Sequence, residues 1–340
     1  MQEKKVAKLP AGFKTKLGDI YRFLKEYICL PADFLYDYFI YAGKSGTFNT
    51  GRTRKTLQAY IIRLYHGIEV GLSYPDPKPG FGVKTVKRLL KALEKFERKY
   101  GIDYYAKIAL NVLFQYVEFN KQLGLEFTEL NDRLQRLEEK VPELLKEDKR
   151  GGYEKLSRTE LFDPGKTDFE SVIRTRHSFR QYTSEPVAPE ILQKAVKLAM
   201  RSPSACNRQQ AKVYVLDDNK IRDRVLKVQN NQRGWRDQPD KILLVTSNVE
   251  YYRQSRERYA AYIDGGLFAM TLVWALHALG IGTCCLNLNL DKGGIKKLKK
   301  AAGLSQAEVP IMLIAAGKLP EQNNVAISTR RDVNEVLINI

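Results

Sequence analysis

The longest apolar segment of the chain runs from residue 259 to 279 and places the strongest constraint on its fold. It contains Met270, Leu272 and Trp274, with few polar interruptions such as Asp264. A helix that is apolar on all sides either spans a membrane or lies inside a large core. Because this segment lies between others that are typical of a soluble α/β protein, we predict a buried core helix.

The segments around this helix alternate between helix and strand. We predict helices at 189–200, 219–228 and 294–302, and strands at 212–216, 241–246, 281–286 and 310–317. Strands rich in Val, Ile and Leu that alternate with helices are typical of a sheet covered by helices, in an α+β or α/β arrangement. Gly280-Ile-Gly-Thr is only a fragment of the dinucleotide-binding glycine motif, so a Rossmann site is not expected.

The first part of the chain has a different pattern. Helical spacing predicts helices at 86–100, 104–119 and 130–144, and the last has a narrow apolar seam interrupted by Pro142. Gly151-Gly152 is typical of a hinge. We therefore predict a basic helical region over 1–150, a linker over 151–167 and a second domain over 168–340.

Composition narrows the range of partners. The 340 residues are 44% hydrophobic and carry a net charge of +18, which favours anionic partners. The positive charge is spread over both halves, so a dedicated nucleic-acid arm is not expected. The four cysteines contain no Cys-x-x-Cys motif and there are only three histidines, so we expect no metal site. Few cysteines and a polar N-terminus predict a cytoplasmic protein.

Arg176, Ser178 and Arg180 form the first motif that indicates a function. In an extended backbone, alternate residues face the same side, so two guanidinium groups and a hydroxyl would meet at one point. That arrangement suits a phosphate. By spacing alone, a solvated basic stretch is an equally good interpretation.

Two further groups of polar residues follow. Pro203 ends a helix, and the loop after it contains Ser204, Asn207 and Gln209, which could bond a flat heterocycle. An ordinary loop after a helix is the alternative. Near the end of the chain, Arg330 and Arg331 could complete a phosphate pocket, or form a basic tail.

The order of these motifs resembles that of the FMN-dependent nitroreductase family over about residues 168–340. The Arg-x-Ser-x-Arg run is followed by Pro-Val-x-x-Glu at 186–190, the Ser-Pro-Ser-x-x-Asn-x-Gln loop, Asp-Gly-Gly at 264–266, Gly-x-Gly-Thr-Cys and a late Arg-Arg. The resemblance implies an α+β FMN-binding sandwich, with a central antiparallel-type sheet flanked by helices. A mostly α-helical domain would precede it.

The resemblance also implies a homodimer with two FMN sites at the interface. Phosphate and ribityl contacts would come from one subunit, and contacts to the ring from the other. Gln232 matches a position where an amide side chain reaches the pyrimidine edge in relatives. The cofactor-binding residues implied in this way are Arg176, His177, Ser178, Arg180, Pro203, Ser204, Asn207, Gln209, Gln232, Arg330 and Arg331.

The chain departs from the family pattern beside the expected substrate face. Gln210-Ala211 stands where relatives usually have Pro-Trp, Cys285 replaces an aromatic ring, and Asn287 and Asn289 replace common glycines. These changes predict a more open and more polar substrate face. Reduction of ordinary nitroaromatics is therefore less certain than flavin binding.

We expect an oxidoreductase in which the flavin carries the chemistry, so that no catalytic side chain is required. NADPH or NADH would be the electron donor and a small organic molecule the acceptor. Two alternatives remain at this point. One is a biosynthetic flavin dehydrogenase that acts on a specific intermediate. The other is a flavin-fold binding protein whose helical region recognises an anionic polymer.

The helical region offers two weaker features. His66 and Glu69 share a helix face, and a local polar pair is the simplest interpretation. Basic and aromatic residues interleave between Tyr21 and Tyr41, which could serve contact with a membrane surface or an anionic ligand. A helical core or an interdomain contact explains such tyrosines more often.

Overall fold

The computed structural model describes residues 19–21, 23–25, 27–32, 34–35, 38–39, 51–140, 151–162, 168–230, 234–252 and 255–340. The described residues between 19 and 39 are helical. They include exposed apolar side chains such as Ile28, Leu35 and Phe39. The rest of the predicted membrane-contact stretch lies outside the described residues, and that contact stays a prediction.

Four helices form the first body of the structure. They are α1 (Arg54–Leu72), α2 (Val83–Tyr100), α3 (Tyr104–Gln122) and α4 (Thr128–Glu138). Their apolar faces share one core, in which Leu89, Phe96 and Tyr116 are fully buried. The prediction for α4 extended to residue 144, but residues 141–150 lie outside the described part of the chain.

The stretch predicted as a linker is partly regular structure. Strand β1 (Tyr153–Ser157) and the helical turn α5 (Arg158–Leu161) occupy it, and β1 pairs antiparallel with a strand near the chain end, β6 (Gln322–Ala326). Gly152 has a φ of 95°, and a Cβ there would lie 1.9 Å from Gln115 Oε1. The glycine pair is therefore a close contact with α3 and not a free hinge.

The second body is built on a four-stranded antiparallel sheet in the order β2-β3-β5-β4. Its strands are β2 (Ala211–Val215), β3 (Lys241–Asn248), β4 (Gly282–Leu286) and β5 (Glu308–Gly317). The helices are α6 (Phe169–Thr175), α7 (Pro189–Ala199), α8 (Asn219–Gln229), α9 (Ala260–Ala278) and α10 (Lys292–Ala302).

Helices cover both faces of this sheet. On one face α7 and α9 pack over Leu243, Val245 and Ile314, and on the other α8 and α10 pack over Ile242, Leu244 and Leu313. Successive strand residues alternate between the two cores, as a pleated strand requires. The result is a three-layer sandwich, which confirms the predicted α+β fold with an antiparallel central sheet.

Helix α9 is the apolar segment on which the fold prediction rested. Among the described helices it alone is long and apolar enough to cross a membrane. Here it packs on β3 and β5, and 56% of its most apolar window is buried. Gly265 permits the close approach, because a Cβ there would lie 2.6 Å from Ile311 Cγ1. The prediction of a buried core helix agrees with this packing.

Candidate functional site

Most of the predicted phosphate-binding residues line one cavity of about 500 Å³, called here the arginine cavity. It lies between the end of α6, the segment that follows β6, and one residue of α1. Its lining consists of His66, Ile173, Arg174, Arg176, His177, Ser178, Arg180, Ala326, Ile327, Ser328, Thr329 and Arg330. The structure therefore brings Arg176, His177, Ser178, Arg180 and Arg330 together.

The backbone explains this convergence. Helix α6 ends where Arg176 adopts an extended conformation, with φ −72° and ψ 114°. Phe179 is 1% exposed, and its N–H donates to the Thr283 carbonyl of β4 at 3.0 Å. This anchor ties the segment beside the sheet, while Ser178 and Arg180 on either side of Phe179 line the cavity.

The cavity concentrates positive charge. Within the part of the chain that the structure describes, no carboxylate lies within ion-pair distance of Arg176, Arg180 or Arg330. Burial lowers the pKa of Arg176, and the nearby charge of Arg330 lowers it further. Arg180 Nη1 donates to the Ser178 carbonyl at 3.0 Å. Uncompensated guanidinium groups in one pocket favour a bound anion.

Polar groups in the same cavity fit that anion. The Thr329 hydroxyl is buried and has no hydrogen-bond partner among the described residues. Ser328 beside it has a φ of 49°, in the left-handed region that a serine rarely adopts. Burial and the charge of Arg176 lower the pKa of His177 to about 4, so its ring is neutral near pH 7. The donors present therefore suit a phosphate group.

Most of the second predicted group lines another cavity of about 410 Å³, called here the loop cavity. Pro203, Ser204 and Gln209 line it, together with Asp264 of α9. The Gln209 N–H donates to Ser204 Oγ at 3.0 Å, and Gln209 Nε2 donates to Asn207 Oδ1 at 3.1 Å. Within one chain, the loop residues and the arginines thus lie in separate cavities.

The loop carries unusual backbone strain. Five described residues other than glycine have positive φ, and three of them, Cys206, Asn207 and Gln209, lie in this loop. A fourth is Ser328 in the arginine cavity. Strain of this kind clusters at functional sites, where the surrounding structure must hold it. The strained residues therefore lie in the two regions predicted to bind the cofactor, namely the loop and the arginine cavity.

Asn207 of the loop lines neither cavity, and two further predicted residues fall elsewhere. Arg331 does not line the arginine cavity; its charge lies near Tyr105 and opposes part of the rise to about 12 that burial causes in the pKa of that phenol. Gln232 lies outside the described residues. In addition, α7 ends at Ala199, so Pro203 lies in the loop and does not itself terminate the helix as predicted.

Comparison with known proteins now adds to the geometry. A sequence model of the nitroreductase family matches residues 173–318. This segment is a nitroreductase-family domain.

Individual proteins are also similar to this chain. YodC of Bacillus subtilis, named as an NAD(P)H nitroreductase, is 27% identical in an alignment 182 positions long that covers 43% of this chain and 87% of that protein. A nitroreductase from Desulfovibrio desulfuricans, solved in complex with FMN, has a TM-score of 0.42 and 23% identity over 50% of this chain and 95% of its own. An NADH oxidase from Clostridium acetobutylicum has a TM-score of 0.44 and 22% identity over 50% and 99%.

The adjacent cysteines of the nitroreductase domain have no redox arrangement. Cys284 packs in the core on one face of the sheet and Cys285 on the other. Burial raises the pKa of Cys285 to about 11 and also raises that of Cys284. Both thiols are therefore protonated near pH 7 and point apart, so a disulfide between them is not feasible in this fold.

Sequence reasoning missed three residues at these sites. Thr329 was visible in the Ser-Thr-Arg-Arg run but carried no signal beyond its position next to Arg330. Asp264 was noted only as part of the Asp-Gly-Gly order, and the structure places it under the loop. His66 was interpreted as one half of a local pair, because nothing in its spacing relates it to residues 176–180.

Proposed function

We propose that this protein is an FMN-dependent oxidoreductase that transfers hydride from NADH or NADPH to a small organic acceptor. The arginine cavity is the observation that carries the proposal. Arg176, Arg180 and Arg330 converge there without a carboxylate partner among the described residues, beside an unsatisfied Thr329 hydroxyl. That set of donors suits a phosphate, and the nitroreductase-family match favours the phosphate of FMN.

The residues of the cavity would bind and orient the cofactor. The guanidinium groups would neutralise the phosphate, and Ser178 and Thr329 would add hydroxyl hydrogen bonds. When bound, FMN supplies the hydride-transfer chemistry. The protein contributes position and exclusion of water, so no Ser/His/Asp or Cys/His set is required.

We further propose a homodimer in which the loop from Ser204 to Gln209 approaches the flavin held by the partner subunit. Two observations support this. The loop and the arginines line separate cavities within one chain. Helices α7 and α9, with Met200 directly after α7, also leave apolar side chains exposed, namely Leu198, Met200, Tyr262, Ile263 and Leu267. Exposed apolar patches on packed helices are typical of protein–protein interfaces.

One departure from the family pattern lies at the end of the loop. Gln210, which replaces a proline of relatives, is 3% exposed, and its Nε2 donates to Asp264 at 3.0 Å. Its amide nitrogen therefore holds the loop, while the side chain also lines the loop cavity and its Oε1 has no hydrogen-bond partner among the described residues. The polar substrate face predicted from Asn287 and Asn289, the choice between NADH and NADPH, and the cytoplasmic location stay predictions.

The visible absorption spectrum of the purified chain, followed by anaerobic addition of NADPH and NADH, tests the proposal. A flavin spectrum that bleaches with either donor supports it and identifies the donor. A flavin spectrum that stays oxidised with both overturns the reductase and favours a biosynthetic dehydrogenase or a binding protein. A colourless protein that also fails to take up added FMN overturns the flavin site itself.

A further inference from the structure

One residue of the arginine cavity comes from the N-terminal helical body, far from the nitroreductase domain in sequence. His66 lies in α1 and lines the cavity with Arg176, Arg180 and Arg330. Its side chain is 48% exposed. The helical body therefore forms part of the wall of the proposed flavin-phosphate site.

A buried carboxylate sets the orientation of this imidazole. His66 Nδ1 lies 2.9 Å from Glu69 Oε2, and Glu69 is completely buried. A carboxylate only accepts hydrogen bonds, so Nδ1 carries the proton in this contact. Nε2 is then the ring nitrogen that remains for a ligand. In a solvated polar pair both side chains would be exposed, whereas here a fully buried carboxylate fixes the orientation of the imidazole.

The same carboxylate fixes α1 to the segment that carries the other cavity residues. Glu69 Oε1 accepts the N–H of Gly152 at 3.0 Å, and the Gly152 carbonyl accepts the N–H of Ile327 at 3.1 Å. Ile327 directly precedes Ser328, Thr329 and Arg330. Through these hydrogen bonds, which lie next to the β1–β6 pair, the helix that carries His66 is fixed relative to the segment that forms the cavity wall.

Helix α3 holds the other end of that segment. The Tyr104 hydroxyl donates to the Arg330 carbonyl at 2.8 Å, and the Tyr105 hydroxyl donates to Glu335 Oε2 at 2.7 Å. The segment is therefore bound to α3 at Arg330 and at Glu335, and it is linked to α1 through the Ile327–Gly152 bond. These hydrogen bonds show that the helical body holds the position of the segment that carries Arg330.

From these contacts we propose that His66 is a ligand of the flavin phosphate, donated through Nε2 by the helical body, and that this body completes the cofactor site. The proposal rests on the proposed FMN site and adds a residue to it from outside the family domain. A hydrogen bond from Nε2 to the phosphate requires the imidazole to donate from both ring nitrogens, with Glu69 accepting at Nδ1. It gives residues 51–140 a role in cofactor retention.

The test compares FMN with riboflavin, which has the same ring and ribityl chain but no phosphate. The full chain is stripped of flavin, and the dissociation constants of both flavins are measured by fluorescence quenching. His66→Ala is expected to weaken FMN about ten-fold, since it removes one hydrogen bond to a charged group. Riboflavin binding should not change. Lys55→Ala, an exposed change on the same helix, should leave both constants unchanged.

His66→Gln guards against a purely structural effect, because a side-chain amide keeps a donor and should recover part of the FMN affinity. If His66→Ala weakens both flavins equally, or neither, the proposal is overturned. Arg176→Ala with Arg180→Ala separates this failure from that of the site. If the double arginine variant loses the preference for FMN over riboflavin but His66→Ala keeps it, only the role of His66 fails. When neither does, the phosphate site fails as well.

Discussion

Asp264 of α9 accepts the backbone N–H of Ala205 at 3.0 Å through its Oδ2 atom. The same oxygen accepts Gln210 Nε2 at 3.0 Å and the Tyr252 hydroxyl at 2.9 Å. The carboxylate is 7% exposed, so these bonds form away from bulk water. One buried oxygen thus ties both ends of the strained Ser204–Gln209 loop to the central helix.

Replacing Asp264 by Asn should loosen this loop. The amide loses charge-assisted hydrogen bonds in a buried site, so we expect the free energy of unfolding to fall by about 2 kcal/mol. Hydrogen exchange of the Ala205 amide should accelerate. Urea denaturation and exchange mass spectrometry measure the two effects. Asp237→Asn removes an equal charge from an exposed position and should be neutral. An Asp264 variant that matches this control would contradict the anchoring role.

Removing two arginines of the cavity should abolish retention of FMN without unfolding the protein. Arg176→Ala with Arg180→Ala deletes two of the four arginine side chains that line the cavity, the others being Arg174 and Arg330, so affinity should fall on the order of 100-fold or more. Flavin absorbance after gel filtration measures retention, and circular dichroism checks the fold. Arg98→Ala with Arg136→Ala is the matched control on the helical body. Full flavin retention by the cavity variant would refute the phosphate assignment.

Two adjacent glycines of α9 should respond in opposite ways to alanine. A Cβ at Gly265 would lie 2.6 Å from Ile311 Cγ1 and 3.4 Å from Ser247 Cβ, whereas one at Gly266 meets no atom within 4 Å. Gly265→Ala should therefore destabilise the protein by about 1–3 kcal/mol through overpacking. Gly266→Ala should be neutral or stabilise by up to about 1 kcal/mol through helix propensity. Thermal melts compare the pair, and equal effects would exclude a close contact at Gly265.

His277 should make the fold sensitive to acid. Burial, followed by the charges of Arg176 and His177, lowers its pKa to about 4. Nε2 lies 2.8 Å from Thr175 Oγ1, whose proton goes to the Ser171 carbonyl at 2.8 Å, so Nε2 is the donor. Nδ1 is buried and has no partner among the described residues. Protonation would bury an unpaired N–H, which agrees with the direction of the pKa shift.

The sign of the pH effect follows from the two pKa values. Between about pH 6.5 and 4 the unfolded chain binds a proton at His277 that the folded protein does not, so stability falls as the pH falls. Titration of His277 lowers the free energy of unfolding by about 3 kcal/mol over this range and has no effect above it. Urea denaturation at pH 7 and pH 4.5 of the native protein and of His277→Phe measures it. The variant should lose less stability on acidification, and an identical loss would rule out this group.

Much of the architecture could be predicted because it depends on short-range patterns. The apolar run of α9, the Val/Ile/Leu-rich strands and the order of the motifs are properties of neighbouring residues, and periodicity reports them directly. The alternation of Arg176, Ser178 and Arg180 is also a short-range pattern that can be read from neighbouring residues. Element boundaries shifted by only a few residues, as at β5, predicted at 310–317 and observed at Glu308–Gly317.

The errors have a common physical cause. Gly151-Gly152 looks like a hinge because glycine is flexible in isolation, yet Gln115 and Glu69 hold this pair in a buried contact. Arg331 looks equivalent to Arg330 in sequence, but only Arg330 lines the cavity. Neighbouring residues of an irregular segment can face opposite ways, and their packing decides which one reaches the site.

The sequence by itself determined the layered α+β domain, the buried central helix and the arginine-rich motif that is predicted to bind phosphate. Each of these depends on the spacing of neighbouring residues. Only the tertiary structure decided that β1 pairs with β6 and thereby brings α1 to the cavity. The meeting of His66 with Arg330 depends on that pairing, across more than two hundred residues of chain. Closure of so long a loop is driven by burial and backbone hydrogen bonds at its ends, and neither leaves a periodic trace in the sequence.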